Sequence, residues 1–510
     1  MKKKLILAII IVLLITIIST LIYIIASRKN KDFANIKILD TYGTQIENYN
    51  ENTMPFVIEK ENEETKIYVN GNEYNNERIY EVGEYEILFK NENREEKKIV
   101  KINKVEKTEE NTYKIYVITE TLQTLLANLN ISDDINQKGF VWTARTSTVN
   151  MEKIKKNIPN LKISEYNGEL KSDEFKNLVI PEIKEYIKNI LKENSNAYFE
   201  LYMEEDKFYL DLELFGKIGL DDSRYNVTMY TNGTLGYTRE YEMTKKNKYE
   251  KFTQEKEDYI KIVKEIKNNT IEIDEKPGSY LNQKSYIGEY EINSKLFEQL
   301  NFDYMYISIL VRNNIKLLLQ FPEMVIFEDE KISAEMKEAN IKKIVIQDEF
   351  NKLEDNEKKV FFDNIDFNKE ELDKNYFTDE NKEYLIITGT TPFYGEYGSR
   401  FKFENVIKQV LKDYSDKYVI LYKPHPRELP TEQQEKFLND LGIKVLPGKL
   451  PMEAICFVYP NLKLGGFDSS LYMSTDEGKT LFFFAKDKTE LWSPLDVLYD
   501  TVFSEAKFYN

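Results

Sequence analysis

The sequence predicts two α/β regions with parallel sheets, preceded by an N-terminal apolar helix and a small β-sandwich. Three observations predict this. The segment Leu5 to Ala26 runs for 22 residues without a charge. Residues 33–105 carry short alternating strands separated by turn signals. From Thr112 to the end, apolar strand-like runs alternate with amphipathic helical ones.

The apolar run is long enough to span a hydrocarbon core of about 30 Å. Lys2, Lys3 and Lys4 precede it, and Arg28, Lys29 and Lys31 follow it. Its length exceeds the usual apolar stretch of a cleavable signal, so residues 1–32 read as an uncleaved single-pass anchor, with cleavage as the alternative. The three leading lysines favour an N-terminus on the inside, in a bacterial cell envelope.

In the next region, Thr65-Lys66-Ile67-Tyr68-Val69 and Tyr85-Glu86-Ile87-Leu88-Phe89 alternate as half-buried strands. Asn70-Gly71-Asn72 and Val82-Gly83-Glu84 supply the turns. A sandwich of the immunoglobulin-like kind is expected over 33–105. A charged linker over Lys101 to Asn111 follows it.

Beyond the linker, Tyr113–Ile118 predicts a strand and Glu120–Leu129 a helix. Phe175–Glu193 predicts a long amphipathic helix, Asn226–Tyr230 a strand, and Phe252–Lys267, Ser294–Leu300 and Ser333–Ala339 helices. A first Rossmann-like domain is expected over 111–275 and a second over 276–510, with the C-terminal segment packing back on the first. In the second, Tyr384–Ile387 and Tyr418–Tyr422 are apolar runs suited to buried parallel strands. Helices are expected at Phe403–Tyr414, Glu432–Leu441 and Met452–Val458.

Composition excludes some functions. The net charge is -17, and the basic residues are interspersed with acids, so no patch suits a nucleic-acid backbone. With one cysteine, Cys456, and one histidine, His425, neither a disulfide nor a Cys–His metal or nucleophile site is expected.

Ligands of open α/β sheets bind beyond the carboxyl ends of the strands. Three segments fall at such ends: Thr388-Gly389-Thr390, Lys423-Pro424-His425-Pro426-Arg427, and Gly465-Gly466-Phe467-Asp468-Ser469-Ser470. His425 stands between two prolines, which stiffen its loop as a phosphate contact or catalytic acid requires. Ser469 and Ser470 follow two glycines in a turn suited to open a helix, an arrangement that cradles anions. Glu453 stands at the start of a helix, where a carboxylate either complements the helix dipole or grips ribose hydroxyls.

Together these segments resemble the bacterial sialyltransferases of glycosyltransferase family 80, the Pasteurella and Photobacterium type. That family runs from a strand into Gly-Thr-Thr, then Lys-x-His-Pro-Arg, then a Glu, then Gly-Gly-x-x-Ser-Ser-Leu-Tyr. Here the matching residues are Gly389-Thr390-Thr391, Lys423 to Arg427, Glu453, and Gly465 to Tyr472. The likeness covers roughly residues 112–510, and some members carry an immunoglobulin-like domain in front. It implies a GT-B fold, CMP-sialic acid as donor, a glycan or glycolipid acceptor, and no metal or other cofactor. His425 would meet the donor phosphate and act as general acid toward departing CMP. Ser469 and Ser470 would bind the same phosphate, and Glu453 the ribose. Gly389, Thr390, Lys423 and Pro426 would line the donor pocket, and Phe393 would contact bound sugar.

The chain departs from the family at one place. The family's base is the first acid of an Asp-Asp-Gly turn, and Thr231 and Asn232 stand at those positions before Gly233. A threonine does not serve as base at neutral pH. Three alternatives stand open: another carboxylate acts, with Asp221 and Asp222 nearest in sequence; the alignment slips; or activity is lost or altered. The functional expectation is an inverting sialyltransferase. The alternatives are a degenerate CMP-sugar-binding protein, a transferase of another CMP-activated sugar, and a surface adhesin.

Overall fold

The computed structural model describes residues 15–21, 33, 36–60, 64–92, 94–171, 174–231, 249–269, 276–277, 290–291, 303–320, 329–379, 381–390, 403–425, 430–469, 471–472, 478–491 and 495–510. The chain divides into two compact units. One comprises Met1–Glu106 with Phe215–Asp221 and Lys264–Glu272, and the other holds the rest.

In the first unit, strands β1 (Ile36–Asp40) and β2 (Phe56–Lys60) form one antiparallel sheet. Strands β3 (Lys66–Val69), β4 (Asn72–Glu73), β5 (Gly83–Lys90) and β6 (Glu95–Ile102) form a second, in the order β4-β3-β5-β6. Both sheets feed one core, with Ile38, Phe56 and Ile58 from the first and Ile67, Ile87, Phe89 and Val100 from the second. Alternation along β5 leaves Ile87 and Phe89 inside while Glu86 and Lys90 remain outside or part-exposed, as a one-sided sheet requires. The result is a small two-sheet β domain. Its six described strands fall short of the seven of the constant immunoglobulin sandwich. The Arg78 guanidinium donates to the carbonyls of Lys217 (2.7 Å) and Lys267 (3.2 Å), tying in the two later segments of this unit.

Of the N-terminal apolar run, residues 15–21 are described, as helix, with Ile15, Ile17, Ile18 and Leu21 exposed. Among the described residues no helix is long and apolar enough to cross a membrane.

The second unit contains two parallel sheets. The first has seven strands: β7 (Thr112–Ile118), β8 (Lys138–Thr143), β9 (Leu161–Ile163), β10 (Tyr198–Glu204), β11 (Tyr225–Tyr230), β12 (Ile315–Leu319) and β13 (Ile341–Lys343). Their order is β13-β12-β11-β10-β7-β8-β9, parallel throughout. The second has six: β14 (Glu383–Thr388), β15 (Tyr418–Lys423), β16 (Lys444–Val445), β17 (Lys463–Gly466), β18 (Thr480–Phe484) and β19 (Lys507–Tyr509), in the order β16-β15-β14-β17-β18-β19. Numbered within each sheet, the second reads 3-2-1-4-5-6 and the first 3-2-1-4-5-6-7, the doubly wound order with one strand added, with switch points between β7 and β10 and between β14 and β17. The apolar run of β14 is buried from Tyr384 to Thr388, because helices cover both faces of such a sheet. One of them, α10 (Phe403–Tyr414), buries Phe403, Val406, Ile407 and Val410, a single stripe at helical spacing.

One domain expectation is corrected. The boundary does not fall at 275/276, since β12 and β13 extend the first sheet to Lys343. The C-terminal strand β19 pairs with β18 as the sixth strand of the second sheet, with Phe503 against Phe483 at 5.5 Å between ring centres. The apolar faces of short helices join the two sheets. Phe350 of α7 (Ile346–Lys352) stacks on Phe457 of α12 (Met452–Val458) at 4.9 Å, and Phe361 of α8 (Asp355–Asn364) lies beside both.

Some helices differ in extent. Phe175–Glu193 begins as a π-helical turn, Phe175–Val179, before α3 (Ile180–Glu193). The segment Ser294–Leu300 lies outside the described residues.

Candidate active site

Strand β14 pairs with β15 on one side and β17 on the other, so the three sequence segments leave adjacent strands at the same edge. Gly389, the first residue past β14, donates its amide to the carbonyl of Lys423 at 2.9 Å. A Cβ at Gly389 would lie 2.5 Å from the Tyr422 hydroxyl and 3.2 Å from the His425 backbone nitrogen. Only glycine lets the two strand exits approach this closely. The Phe467 amide donates to the Thr388 carbonyl at 3.1 Å, and Gly466 adopts a φ of +130° to make that turn. The Thr388 hydroxyl lies 2.7 Å from the Tyr472 hydroxyl and within 3.3 Å of the Gly465 carbonyl. The structure therefore brings Gly389, Lys423, His425 and the Gly465–Tyr472 turn to one edge.

Lys423 is buried, and its ammonium donates to the carbonyls of Pro424 (3.0 Å) and Gly448 (2.9 Å). It thus braces the loop that carries His425. Burial pushes its pKa down to about 8, opposed by the charge of Glu453. Glu453 lies in the first turn of α12, also buried, and burial raises its pKa, opposed by its own backbone amide and by Lys423. A buried cation and a buried carboxylate whose charges act on each other, close to the strand ends, make this pair a candidate for a functional site. His425 is half-buried, Thr390 is buried, and the Ser469 hydroxyl accepts the Leu471 amide at 3.2 Å. Phe393, Pro426, Ser470 and Asn232 lie outside the described residues.

In the first sheet, Thr231 follows β11. Its hydroxyl donates to the Leu318 carbonyl at 3.0 Å, and its own carbonyl accepts from the Gln123 side chain. Asp222 stands at the other end of this strand. It accepts from Arg312 at 2.9 Å and from the Tyr225 hydroxyl at 2.8 Å. At about 3.3 Å per strand residue it is some 20 Å or more from Thr231. Asp221 precedes it and belongs to the first unit. Neither stands at the carboxyl edge, so the expectation that one of them replaces the missing base is corrected.

Sequence reading missed the charged groups that do stand at this edge. Glu204 ends β10, fully buried, and accepts the amides of Thr119 (2.8 Å) and Glu120 (2.6 Å), the Thr119 hydroxyl, and the Lys207 ammonium at 3.3 Å. Arg145, two residues past β8, pairs with Glu120 at 2.8 Å and with Glu169. The acidic run Glu204-Glu205-Asp206 closing an apolar strand was the available signal.

No protein-family model matches the chain, and no curated protein matches it in sequence. Solved structures do. A sialyltransferase of Photobacterium damsela shares 17% identity at a TM-score of 0.57, over 93% of this chain and 94% of that one. The fold is that of the Photobacterium sialyltransferases. The GT-B domain of the Photobacterium damselae enzyme alone matches at a TM-score of 0.55, with 17% identity, over 78% of this chain and 99% of that one. The 2,6-sialyltransferase of Photobacterium sp. JT-ISH-224, solved with CMP and lactose, matches at 0.52, with 14% identity, over 93% of this chain and 90% of that one. Such an architecture is GT-B, two Rossmann-like domains in one unit.

Proposed function

We propose that this chain is an inverting glycosyltransferase that moves sialic acid from CMP-sialic acid to a glycan hydroxyl. The observation that carries this is the convergence of Gly389, Lys423, His425 and Ser469 on neighbouring strand ends of the second sheet, with Glu453 of α12 close enough for its charge to act on Lys423. The likeness to a sialyltransferase solved with CMP and lactose supports a nucleotide donor and a glycan acceptor. Negative charge grows on the phosphate as CMP departs. Donors preorganised there stabilise the transition state more than the ground state. His425 on its stiff loop supplies a proton or hydrogen bond to that phosphate, Ser469 a second contact, and Glu453 binds the ribose hydroxyls. Ser470, Pro426 and Phe393 complete the donor pocket in this reading, and the chemistry uses no metal or other cofactor. Residues 1–32 anchor the enzyme in the envelope membrane, which protease accessibility on intact cells tests.

The test uses purified residues 33–510 with CMP-sialic acid and lactose, scoring CMP release and sialylated product. Release no greater than that of His425→Ala, with lactose and with other glycans, would defeat the proposal.

One observation favours a second reading. The Thr231 hydroxyl, where the family keeps an acid, donates into the Leu318 carbonyl. A protein that binds CMP-sugars without transferring them would have that property. Calorimetry with CMP alongside the transfer assay separates the two.

A further inference from the structure

Sugar transfer to a hydroxyl needs a base, and among the described residues Glu204, Glu120 and Glu169 are linked to one another and to Arg145 beyond the carboxyl ends of β10, β7 and β9, while Glu349, whose charge acts on Tyr230, is taken by the Lys352 ammonium. A base needs an open lone pair and access to substrate. Glu204 has neither, being fully buried under two amides, a hydroxyl and an ammonium. It anchors the first turn of helix α1 (Thr121–Asp133) to the end of β10. Glu169 is two-thirds exposed and follows β9, the edge strand on the far side of β8.

Glu120 differs from both. It holds the N-cap position of α1 in extended conformation, φ -109° and ψ 160°, and its side chain makes no bond back to the helix. That side chain is 41% exposed, and its Oε2 takes the Arg145 guanidinium at 2.8 Å. Among the described residues Oε1 accepts no hydrogen bond. Gln123, three residues on, reaches the Thr231 carbonyl. Residues three apart share one helix face, with Cβ atoms about 5–6 Å apart. Glu120 therefore stands one helical turn from the corner where the family's acid is absent.

Resting on the transferase reading above, we infer that Glu120 is the general base, with Arg145 as its positioning residue. Glu120 takes the proton of the acceptor hydroxyl. The freed electron pair forms the bond to the anomeric carbon of sialic acid. The bond from that carbon to the phosphate oxygen breaks, its electrons leave with CMP, and His425 meets the departing oxygen. The proton on Glu120 then passes to water. Arg145 is held in place by Glu169 and by its own amide, which the Thr143 hydroxyl accepts at 3.0 Å. It thus fixes the carboxylate through one oxygen and leaves the other for the hydroxyl.

The experiment compares wild type, Glu120→Gln, Glu120→Ala and Glu120→Gln with Thr231→Asp. Each is assayed for CMP affinity by calorimetry and for transfer to lactose. Glu120→Gln should lower kcat by about 100-fold or more, within the usual worth of a general base, with CMP affinity within about twofold of wild type. Formate should restore part of the activity of Glu120→Ala, and Thr231→Asp should restore that of Glu120→Gln by about tenfold or more. Glu120→Gln retaining kcat within about threefold of wild type overturns the inference. Wild type that binds CMP but transfers nothing also overturns it, leaving the donor reading intact. Wild type that fails to bind CMP removes both.

Discussion

The amide of Gly389 and the carbonyl of Lys423 meet at 2.9 Å, one residue beyond the last pairing of β14 with β15. This bond joins the glycine segment to the histidine loop and fixes where His425 begins. A side chain at 389 must push either the Tyr422 hydroxyl, 2.5 Å from the new carbon, or the His425 backbone at 3.2 Å. Gly389→Ala should therefore destabilise the chain by about 1–3 kcal/mol, the usual cost of overpacking, and weaken CMP binding. Thermal melts and calorimetry on one preparation check both effects. Unchanged CMP affinity would mean that His425 is not placed by this contact.

Lys423 makes stability depend on pH in a defined direction. Burial lowers its pKa from the ordinary 10.5 to about 8, so the folded chain releases this proton before the unfolded chain does. Between those values the unfolded state binds more protons, and stability rises with pH. Below about 8 the cost of the buried ammonium is fully present, and above 10.5 it is gone. Wild type should gain up to about 3 kcal/mol on Lys423→Met between pH 7.5 and 10. Denaturant titrations of both proteins across that range measure it. A constant difference would show that Lys423 does not titrate there.

Thr388 shows what pairing cannot reveal in advance. Read as a sequence, it is a β-branched residue ending an apolar strand. In the fold its hydroxyl lies 2.7 Å from that of Tyr472, tying β14 to the turn after β17 across the switch point. Thr388→Val leaves the buried Tyr472 hydroxyl without that partner and should cost about 1–3 kcal/mol. Tyr472→Phe removes the other partner instead, and the double variant should cost less than the two singles together. Strict additivity in chemical denaturation would deny the link.

The meeting of the glycine, lysine–histidine and serine segments at one sheet edge was legible because each of its parts is local. The apolar runs of β14 and β15 announce buried parallel strands, Pro424 and His425 directly follow β15, and Gly465-Gly466 close β17. The order of the strands was not legible. Nothing in residues 460–470 says that β17 crosses β15 to lie beside β14, since that follows from the crossover and not from any residue. The first domain's extent was misjudged for the same reason: β12 returns to β11 after a long intervening segment. Asp222 failed as a candidate because closeness in sequence is not closeness in space. A strand of six residues, Tyr225–Tyr230, carries the chain from one edge of the sheet to the other.

That relocation of Asp222 is itself testable. Arg312 is buried and pairs with Asp211 at 2.7 Å and Asp222 at 2.9 Å. Burial disfavours its charge, but Asp211, Tyr225 and Asp222 together outweigh this and hold its pKa well above the usual value. Removing one partner of a buried pair leaves an uncompensated charge, so Arg312→Met should destabilise by about 3–5 kcal/mol. Asp222 is the more exposed partner, at 38% of its side chain, and Asp211 remains when it is lost. Asp222→Asn should therefore cost less than Arg312→Met, about 1 kcal/mol once solvent screening is allowed for. Because this network lies at the amino end of β11, Asp222→Asn should leave both CMP affinity and the transfer rate below the melting range unchanged. A fall in rate with stability preserved would return Asp222 to the list of candidate bases and count against Glu120.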